Sequence, residues 1–190
     1  MPSRAKTSAA AIVAAARELV ERSGNAALSM ADVAAAVGVR APSLYGHFAD
    51  RAALLAAVEL ELFADMRGAL ERTRPARDPV TALTRHAHAF RAFAKAHPRG
   101  FALMFDADAD RSDAGRRARI DALAPTMTLL ETLVGKRDVL LAARVLAPFL
   151  IGFVAMELAG AFRLGPGIDA AFANGVATIL AGLRAKRRRG

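Results

Sequence analysis

The most informative stretch of this chain is SMADVAAAVGVRAPSLYGHFADR, residues 29–51. Ser29 is a good N-cap residue and predicts a helix over residues 30–36. Gly38 follows where a helix often ends in a left-handed residue, a conformation that glycine adopts at little cost. Pro42 suits the first turn of a second short helix, because the N–H that proline lacks would have no partner there. The pattern therefore predicts two short helices joined by a tight turn.

The second of these helices is expected over residues 41–48, with two distinct faces. Leu44 and Phe48 are four residues apart, so they share one face and point into the core. The open side carries a hydroxyl, a phenol, a bare backbone and an imidazole, from Ser43, Tyr45, Gly46 and His47. Groups of this kind hydrogen-bond phosphates and base edges. We interpret the stretch as a helix-turn-helix whose second helix enters the major groove of DNA.

A family resemblance begins at these residues. Ala34, Gly38 and Leu44 stand where helix-turn-helix proteins place a small residue, a turn glycine and a buried aliphatic residue. The string GVRAPSLYGHFADRAALL, residues 38–55, resembles the N-terminal domain of the tetracycline-repressor (TetR-type) family of transcription regulators. Many relatives have a lysine at the start of the helix that follows, and Arg51 keeps that charge. The resemblance implies an N-terminal three-helix DNA-binding domain.

The motif and the resemblance together predict which residues contact DNA. In the turn and the second helix these are Arg40, Ala41, Pro42, Ser43, Tyr45, Gly46 and His47. Ser29 and Arg51 are expected to contact phosphate. Two alternatives stay open: Tyr45 and His47 could merely cap a small helical core, and Arg51 could be a surface residue without a partner.

The composition favours an all-α protein. Hydrophobic residues make up 54% of the 190, alanine is abundant, and no useful stretch alternates with a period of two. Because there is no cysteine, a disulfide framework and a thiolate metal site are excluded. The N-terminus lacks the apolar core of a signal peptide, so we expect a cytoplasmic protein. The apolar residues 145–156 are too few to span a bilayer, and we expect protein to bury them on all sides.

The net charge of +9 supports a nucleic-acid partner only weakly. Residues 1–75 hold nine Lys/Arg and eight Asp/Glu, which leaves +1 there and +8 in the remainder. The excess lies in residues 111–119 and 184–189, away from the helix-turn-helix in the sequence. The prediction of DNA binding therefore depends on the motif.

No metal or cofactor is expected. The acidic run at residues 106–110 resembles the start of a calcium loop, but Arg111 and Arg117 stand where that loop needs Gly and Glu. His86 and His88 are two residues apart, so on a helix they point in different directions and cannot share one metal ion.

The chain divides most naturally at residues 75–79, where two prolines and a charge pair interrupt the helical pattern. We predict a helix-turn-helix domain over residues 1–50, a linking helix over 51–75, and a helical ligand-binding and dimerisation domain over 76–190. Residues 90–105 and 149–162 resemble the WHG subgroup of the TetR-type family. This chain has Ala147 and Ile151 where the subgroup has Trp and His, so the roles of those two side chains do not carry over.

The second half is rich in Phe and Met, which suit small apolar or aromatic ligands. The residues expected to line a cavity are Phe90, Phe93, Phe101, Met104, Phe105, Met127, Phe149, Phe153 and Met156. The alternative, that they simply fill a core, stays open. Glu157 lies among apolar neighbours, so it should pair with an arginine or meet a polar ligand group.

The resemblance implies a homodimer whose last two helices form a four-helix interface, and one recognition helix reads only half of a palindromic operator. We therefore expect a ligand-responsive DNA-binding regulator, a repressor that a small apolar or aromatic molecule releases from its operator. The alternative is a DNA-binding regulator without small-molecule control. An all-helical enzyme is not favoured, because no His, Glu and Asp residues are spaced to meet a nucleophile or a metal.

Overall fold

The structure is a computed structural model that describes residues 8–105, 112–165 and 167–187. Within these ranges it contains eight α-helices, one short 3-10 helix and no strand, which confirms the predicted all-α class. The helices are α1 Ala9–Ser23, α2 Met30–Ala36, α3 Arg51–Glu71, α4 Pro79–Ala96, α5 Pro98–Met104, α6 Asp113–Val134, α7 Val139–Leu158 and α8 Ile168–Arg187, and the 3-10 helix is Ala41–Ser43. The acidic run at residues 106–110 lies outside the described residues.

The chain folds into two compact units that do not follow the order of the sequence. The first consists of Met1–Ala64 together with His97–Ala118, and the second of Asp65–Ala96 together with Arg119–Gly190. Helices α3 and α6 each run from one unit into the other. The domain boundaries expected at residues 50 and 75 stay a prediction.

The core of the first unit forms beneath α1. Ser8 is the N-cap of this helix, and its Oγ accepts a hydrogen bond of 3.1 Å from the backbone N–H of Ala11. Ile12, Ala16 and Val20 recur at four-residue steps and are fully buried. Helix α1 packs against both α2 and α5, so this buried stripe holds α1 in place, and α1 in turn supports the first helix of the motif.

Helices α4, α7 and α8 pack against one another in the second unit. Phe172 of α8 is fully buried and stacks on Phe149 of α7, with 6.1 Å between the ring centroids. Phe153 meets Phe172 edge-on at 5.2 Å. At Gly175 a side chain would collide with the ring of Phe149, so glycine allows α8 to approach α7 this closely.

The prediction that residues 145–156 are buried on all sides is wrong for this chain. The buried positions of α7 are Ala142, Leu146, Leu150 and Val154, which are four residues apart and share one face. Met156 on the opposite face exposes 50% of its surface, because α4 and α8 cover only one side of the helix. By length and composition α7 could cross a membrane, a property that helices of soluble proteins also have.

Candidate nucleic-acid interface

The first helix of the motif and its turn form as the sequence predicts. Ser29 is the N-cap of α2: its Oγ accepts a 3.1 Å hydrogen bond from the Asp32 N–H and donates a 2.6 Å hydrogen bond to the Asp32 carboxylate. Gly38 has a φ of 72°, the left-handed conformation expected of the turn. The Ser29 N-cap therefore fixes the start of α2, and the left-handed Gly38 fixes the turn that follows it.

The second helix is shorter and tighter than predicted. Residues 41–48 do not form one α-helix: a 3-10 helix covers Ala41–Ser43 and turns continue to residue 47. The N–H of Leu44 bonds the carbonyl of Ala41 at 3.0 Å, and the N–H of His47 bonds that of Leu44 at 2.9 Å. Gly46 has low helix propensity, which disfavours a continuous α-helix here, whereas Pro42 lies in the first turn, where its missing N–H costs nothing.

The two faces of this segment are nevertheless those expected from the sequence. Leu44 is fully buried and Phe48 is half-buried, whereas Tyr45 exposes 55% of its surface. Ala41 is half-buried, and the other predicted contact residues from 40 to 47 are exposed: Arg40, Pro42, Ser43, Gly46 and His47. Tyr45 and His47 therefore lie outside the core, and their polar groups are available to a ligand. Its contact with DNA stays a prediction.

Arg51 has a structural role that the sequence analysis missed. Its Nε donates a 2.8 Å hydrogen bond to the carbonyl of Leu28, and its Nη2 donates to the carbonyl of Asn25. Both carbonyls belong to the loop between α1 and α2, so the half-buried guanidinium fixes that loop. Asp50 orients the residue by capping α3, with the Ala53 N–H 2.8 Å from its carboxylate. The expected phosphate contact of Arg51 stays a prediction.

Replacing Arg51 by alanine should lower the free energy of unfolding by about 1–3 kcal/mol, because two backbone carbonyls lose a charged donor. Denaturant unfolding measures this loss. Arg40→Ala is the matched control, since Arg40 is exposed and the structure gives its side chain no bond among the described residues. An equal loss in both variants would contradict the structural role of Arg51.

The first unit, which contains the motif, has no net charge. Its two segments together hold ten Lys/Arg and ten Asp/Glu, so the whole excess of +9 belongs to the second unit. Any attraction of this unit for phosphate therefore depends on where its charges lie. Arg40 and His47 on the exposed surface supply cationic or hydrogen-bonding groups locally.

The nine residues expected to line a cavity are divided between the two units. Phe101, Met104 and Phe105 belong to the first, and the other six belong to the second: Phe90, Phe93, Met127, Phe149, Phe153 and Met156. In the first unit the rings of Phe101 and Phe105 lie 4.8 Å apart. In the second, Phe149 and Phe153 pack around Phe172, a core residue that the sequence analysis did not include. Their role in ligand binding stays a prediction.

Glu157 pairs with an arginine, the first of the two possibilities left open by the sequence. Arg91 donates from Nε to Oε2 at 2.7 Å and from Nη2 to Oε1 at 2.6 Å, and Lys95 donates to Oε1 at 3.0 Å. The hydrogen bond from Arg91 is the main cause that holds the pKa of Glu157 below its ordinary value of 4.5. Arg91 also contacts Asp169 of α8 at 2.7 Å and lies 4.9 Å from the ring centroid of Phe172.

His86 on α4 is another buried polar residue of the second unit. Its Nδ1 lies 3.0 Å from the hydroxyl of Thr126 on α6, and burial lowers the pKa of the imidazole. Among the residues that the structure describes, no group of three or more His, Asp or Glu side chains could hold a metal ion.

Comparisons with known proteins connect these features. Residues 12–58 match the family model described as bacterial regulatory proteins, tetR family, and residues 83–179 match the one described as tetracyclin repressor-like, C-terminal domain. The second match does not identify the WHG subgroup, which stays a prediction. A comparison with curated proteins gave no match.

Three solved structures illustrate the similarity of the fold. A class A TetR in complex with 5a,6-anhydrotetracycline and magnesium is 28% identical, with 93% of this chain and 96% of that one covered and a TM-score of 0.66. A possible TetR family transcriptional regulator from Streptomyces coelicolor A3(2) is 25% identical, with coverage of 95% and 100% and a TM-score of 0.73. A glutamine-to-alanine variant of TetR from Acinetobacter baumannii AYE, in complex with minocycline, is 23% identical, with coverage of 95% and 98% and a TM-score of 0.72.

Proposed function

Because the chain belongs to the TetR family of transcriptional regulators, we propose that it is a cytoplasmic homodimeric repressor that a small apolar or aromatic molecule releases from a palindromic operator. It is a regulator rather than an enzyme. The observation that carries the proposal is the exposed surface of residues 40–47, held from beneath by the buried Leu44. Rigid support of polar side chains is what a groove-reading element needs.

The dimer is supported by two uncovered stripes in the second unit. On α7 the exposed residues that share one face are Leu141, Val145, Pro148, Gly152 and Met156. On α8 they are nearly all small: Ala170, Ala171, Asn174, Ala177, Thr178, Ala181, Gly182 and Ala185. An apolar stripe beside a stripe of small side chains lets helices of a second copy approach closely and bury both. We propose that a second copy, and not a membrane, covers them.

Val145→Glu should raise the dissociation constant of the dimer by at least about a hundredfold. Val145 lies in the proposed interface, and a charge buried there without a partner costs several kcal/mol in each copy. Sedimentation velocity over a range of concentrations measures the change. The control is Ile120→Glu, because Ile120 on α6 is even more exposed, at 60%, and lies outside both stripes. A Val145→Glu protein that dimerises like the control would exclude this interface.

The proposal of an aromatic effector is supported by the rings of the second unit and by the ligands of related structures. Two of the three structures named above are complexes, one with minocycline and one with 5a,6-anhydrotetracycline and magnesium. An effector releases the operator only if it binds the non-binding conformation more tightly, and about 1.4 kcal/mol of that preference changes operator affinity tenfold. Any residue that distinguishes the two conformations then influences the response.

The proposed function is tested by selecting duplexes from a random-sequence library with the full chain and measuring affinity by gel shift. A palindromic duplex should be enriched and should bind one dimer. A thermal-shift screen with aromatic compounds then identifies an effector, which should weaken the gel shift. Failure to enrich any duplex would refute DNA-binding regulation, and an enriched duplex without any effective compound would favour the regulator without small-molecule control.

A further inference from the structure

Three connections of the chain join the two units, and one of them differs from the others. Helices α3 and α6 pass from unit to unit without a break, whereas the third connection is the joint between α4 and α5, at Ala96–His97. His97 has φ −129° and ψ 60°, which is not helical, so the direction of the chain changes there. Helix α5 thus follows α4 after the single residue His97, but it belongs to the unit that contains the helix-turn-helix.

Glu21, near the end of α1, holds the start of α5. Its Oε1 accepts a 2.8 Å hydrogen bond from the Gly100 N–H, and its Oε2 lies 3.4 Å from the backbone nitrogen of Arg99, which also donates. The Arg99 guanidinium returns a 3.2 Å hydrogen bond to the backbone carbonyl of Glu21. The imidazole of His97 lies 3.9 Å from Oε1. We call this set of contacts the Glu21 clamp.

With the Glu21 clamp in place, every backbone N–H in the first turn of α5 has a hydrogen-bond acceptor. Pro98 has no N–H, and the first hydrogen bond of the helix runs from the Phe101 N–H to the carbonyl of His97 at 2.7 Å. The donors left over are those of Arg99 and Gly100, and both donate to Glu21. A carboxylate is favoured at this position because the N-terminus of a helix carries partial positive charge.

Gly100 makes the close approach possible. A Cβ at this position would collide with the carboxylate of Glu21 and would lie 2.9 Å from Cδ2 of Leu62. Its φ is not in the left-handed region, so glycine is needed here for space and not for backbone conformation. Because of the Glu21 clamp, α5 cannot shift along α1 without breaking charge-assisted hydrogen bonds.

We propose that Glu21 is the positioning residue through which the state of α4 reaches the DNA-binding helices. A displacement of α4 moves the joint at His97, the clamp transmits that displacement to α1, and α1 packs against α2 of the motif. Glu21 lies outside the exposed surface of residues 40–47, so it acts by coupling and not by contact with DNA. This inference rests on the proposed function and assigns the regulation of the same site.

Coupling between two sites is reciprocal, so it can be tested before any effector is known. If the state of α4 influences DNA affinity, then bound DNA must influence α4 by the same factor, and couplings of this kind typically reach about 5–150-fold. Amide hydrogen exchange of α4 reports that influence, because exchange measures local opening. The probe is the duplex enriched by selection with the wild-type chain.

The experiment compares full-length wild type, Glu21→Ala, Glu21→Gln and Glu18→Ala, with and without the selected duplex. Glu18 is exposed on the same helix, so its variant removes the same charge without touching α5. In wild type and Glu18→Ala, the duplex should change exchange in α4 at least about threefold. Glu21→Ala should bind the duplex within about twofold of wild type and lose that change, and Glu21→Gln should keep part of it through its one remaining acceptor oxygen.

The inference is overturned if Glu21→Ala shows the same duplex-induced exchange as wild type, or if it loses duplex affinity together with helicity, which would be a structural role only. If Glu21→Ala does not fold, Glu21→Gln decides by the same two readouts. A wild-type chain that enriches no duplex refutes the proposed function instead, so the two failures are distinguishable.

Discussion

Arg91→Ala is expected to lower the free energy of unfolding by about 3–5 kcal/mol, which is a large part of the stability of a domain. The side chain of Arg91 is 8% exposed and that of Glu157 is 11% exposed, and two hydrogen bonds of 2.6 and 2.7 Å join them. Without Arg91, Glu157 keeps Lys95 as its one remaining partner among the described residues, and α8 loses the contact of Asp169 with Arg91. Removing one member of a buried pair leaves a charge without adequate compensation.

Denaturant unfolding at one fixed protein concentration measures this effect, since dimerisation would make stability depend on concentration. Arg67→Ala is the matched control: its pair with Glu71 is about half exposed, so it should contribute less than about 1 kcal/mol. The double variant Arg91→Met with Glu157→Met should be more stable than Arg91→Ala, because it leaves no unpaired buried charge. Equal stability of Arg91→Ala and Arg67→Ala would contradict the assignment.

The same pair makes a prediction about pH within that experiment. The pKa of Glu157 is lowered in the folded state, so its ion pair contributes stability above the ordinary value of 4.5 and loses it as pH falls below that value. The stability difference between wild type and Arg91→Ala should therefore shrink in acid.

The double substitution Tyr45→Ala with His47→Ala is expected to weaken binding of the selected duplex by about a hundredfold. Each contact with a base edge or phosphate contributes about 1–3 kcal/mol, and 1.4 kcal/mol corresponds to tenfold. Both side chains are exposed, so helicity and dimerisation should not change. A loss of DNA binding can be distinguished from a loss of fold in this variant, because the fully buried Leu44, next to Tyr45 in the sequence, is left in place.

Gel shift at a stated salt concentration measures the loss, and circular dichroism and sedimentation verify fold and dimer. Glu18→Ala serves as control, since Glu18 is exposed on α1 and outside the predicted contact residues. Unchanged affinity in the double variant would show that residues 40–47 are not the interface.

Features that depend on a few neighbouring residues were predictable from the sequence. Ser29 caps α2, Gly38 takes the left-handed conformation, and Leu44 faces inward, because each depends on local chemistry or on helical spacing. The second helix of the motif was predicted too long, since the low helix propensity of Gly46 outweighs the helical spacing of Leu44 and Phe48 in so short a segment. Short segments of this kind often adopt 3-10 geometry.

Features that depend on distant parts of the chain were not predictable. Nothing near Arg51 indicates that the carbonyls of Asn25 and Leu28 need a donor. The sequence of α7 is apolar on all sides, and this pattern does not show which of its faces the rest of the chain covers. The side that is exposed in the structure was therefore expected to be buried. Phe172 resembles any other phenylalanine in the sequence until α7 and α8 bring three rings together.

The place of α5 also has a consequence for engineering. A hybrid sensor made by grafting a foreign effector domain onto this chain after Glu71 would discard residues 97–118, which belong to the first unit. Helix α1 would then present Glu21 to solvent without its two donors, and Leu62 would lose the backbone of Gly100 that lies against it. A DNA-binding module taken from this protein for use in a hybrid must therefore be discontinuous in sequence: it needs the N-terminal segment and a separate copy of α5.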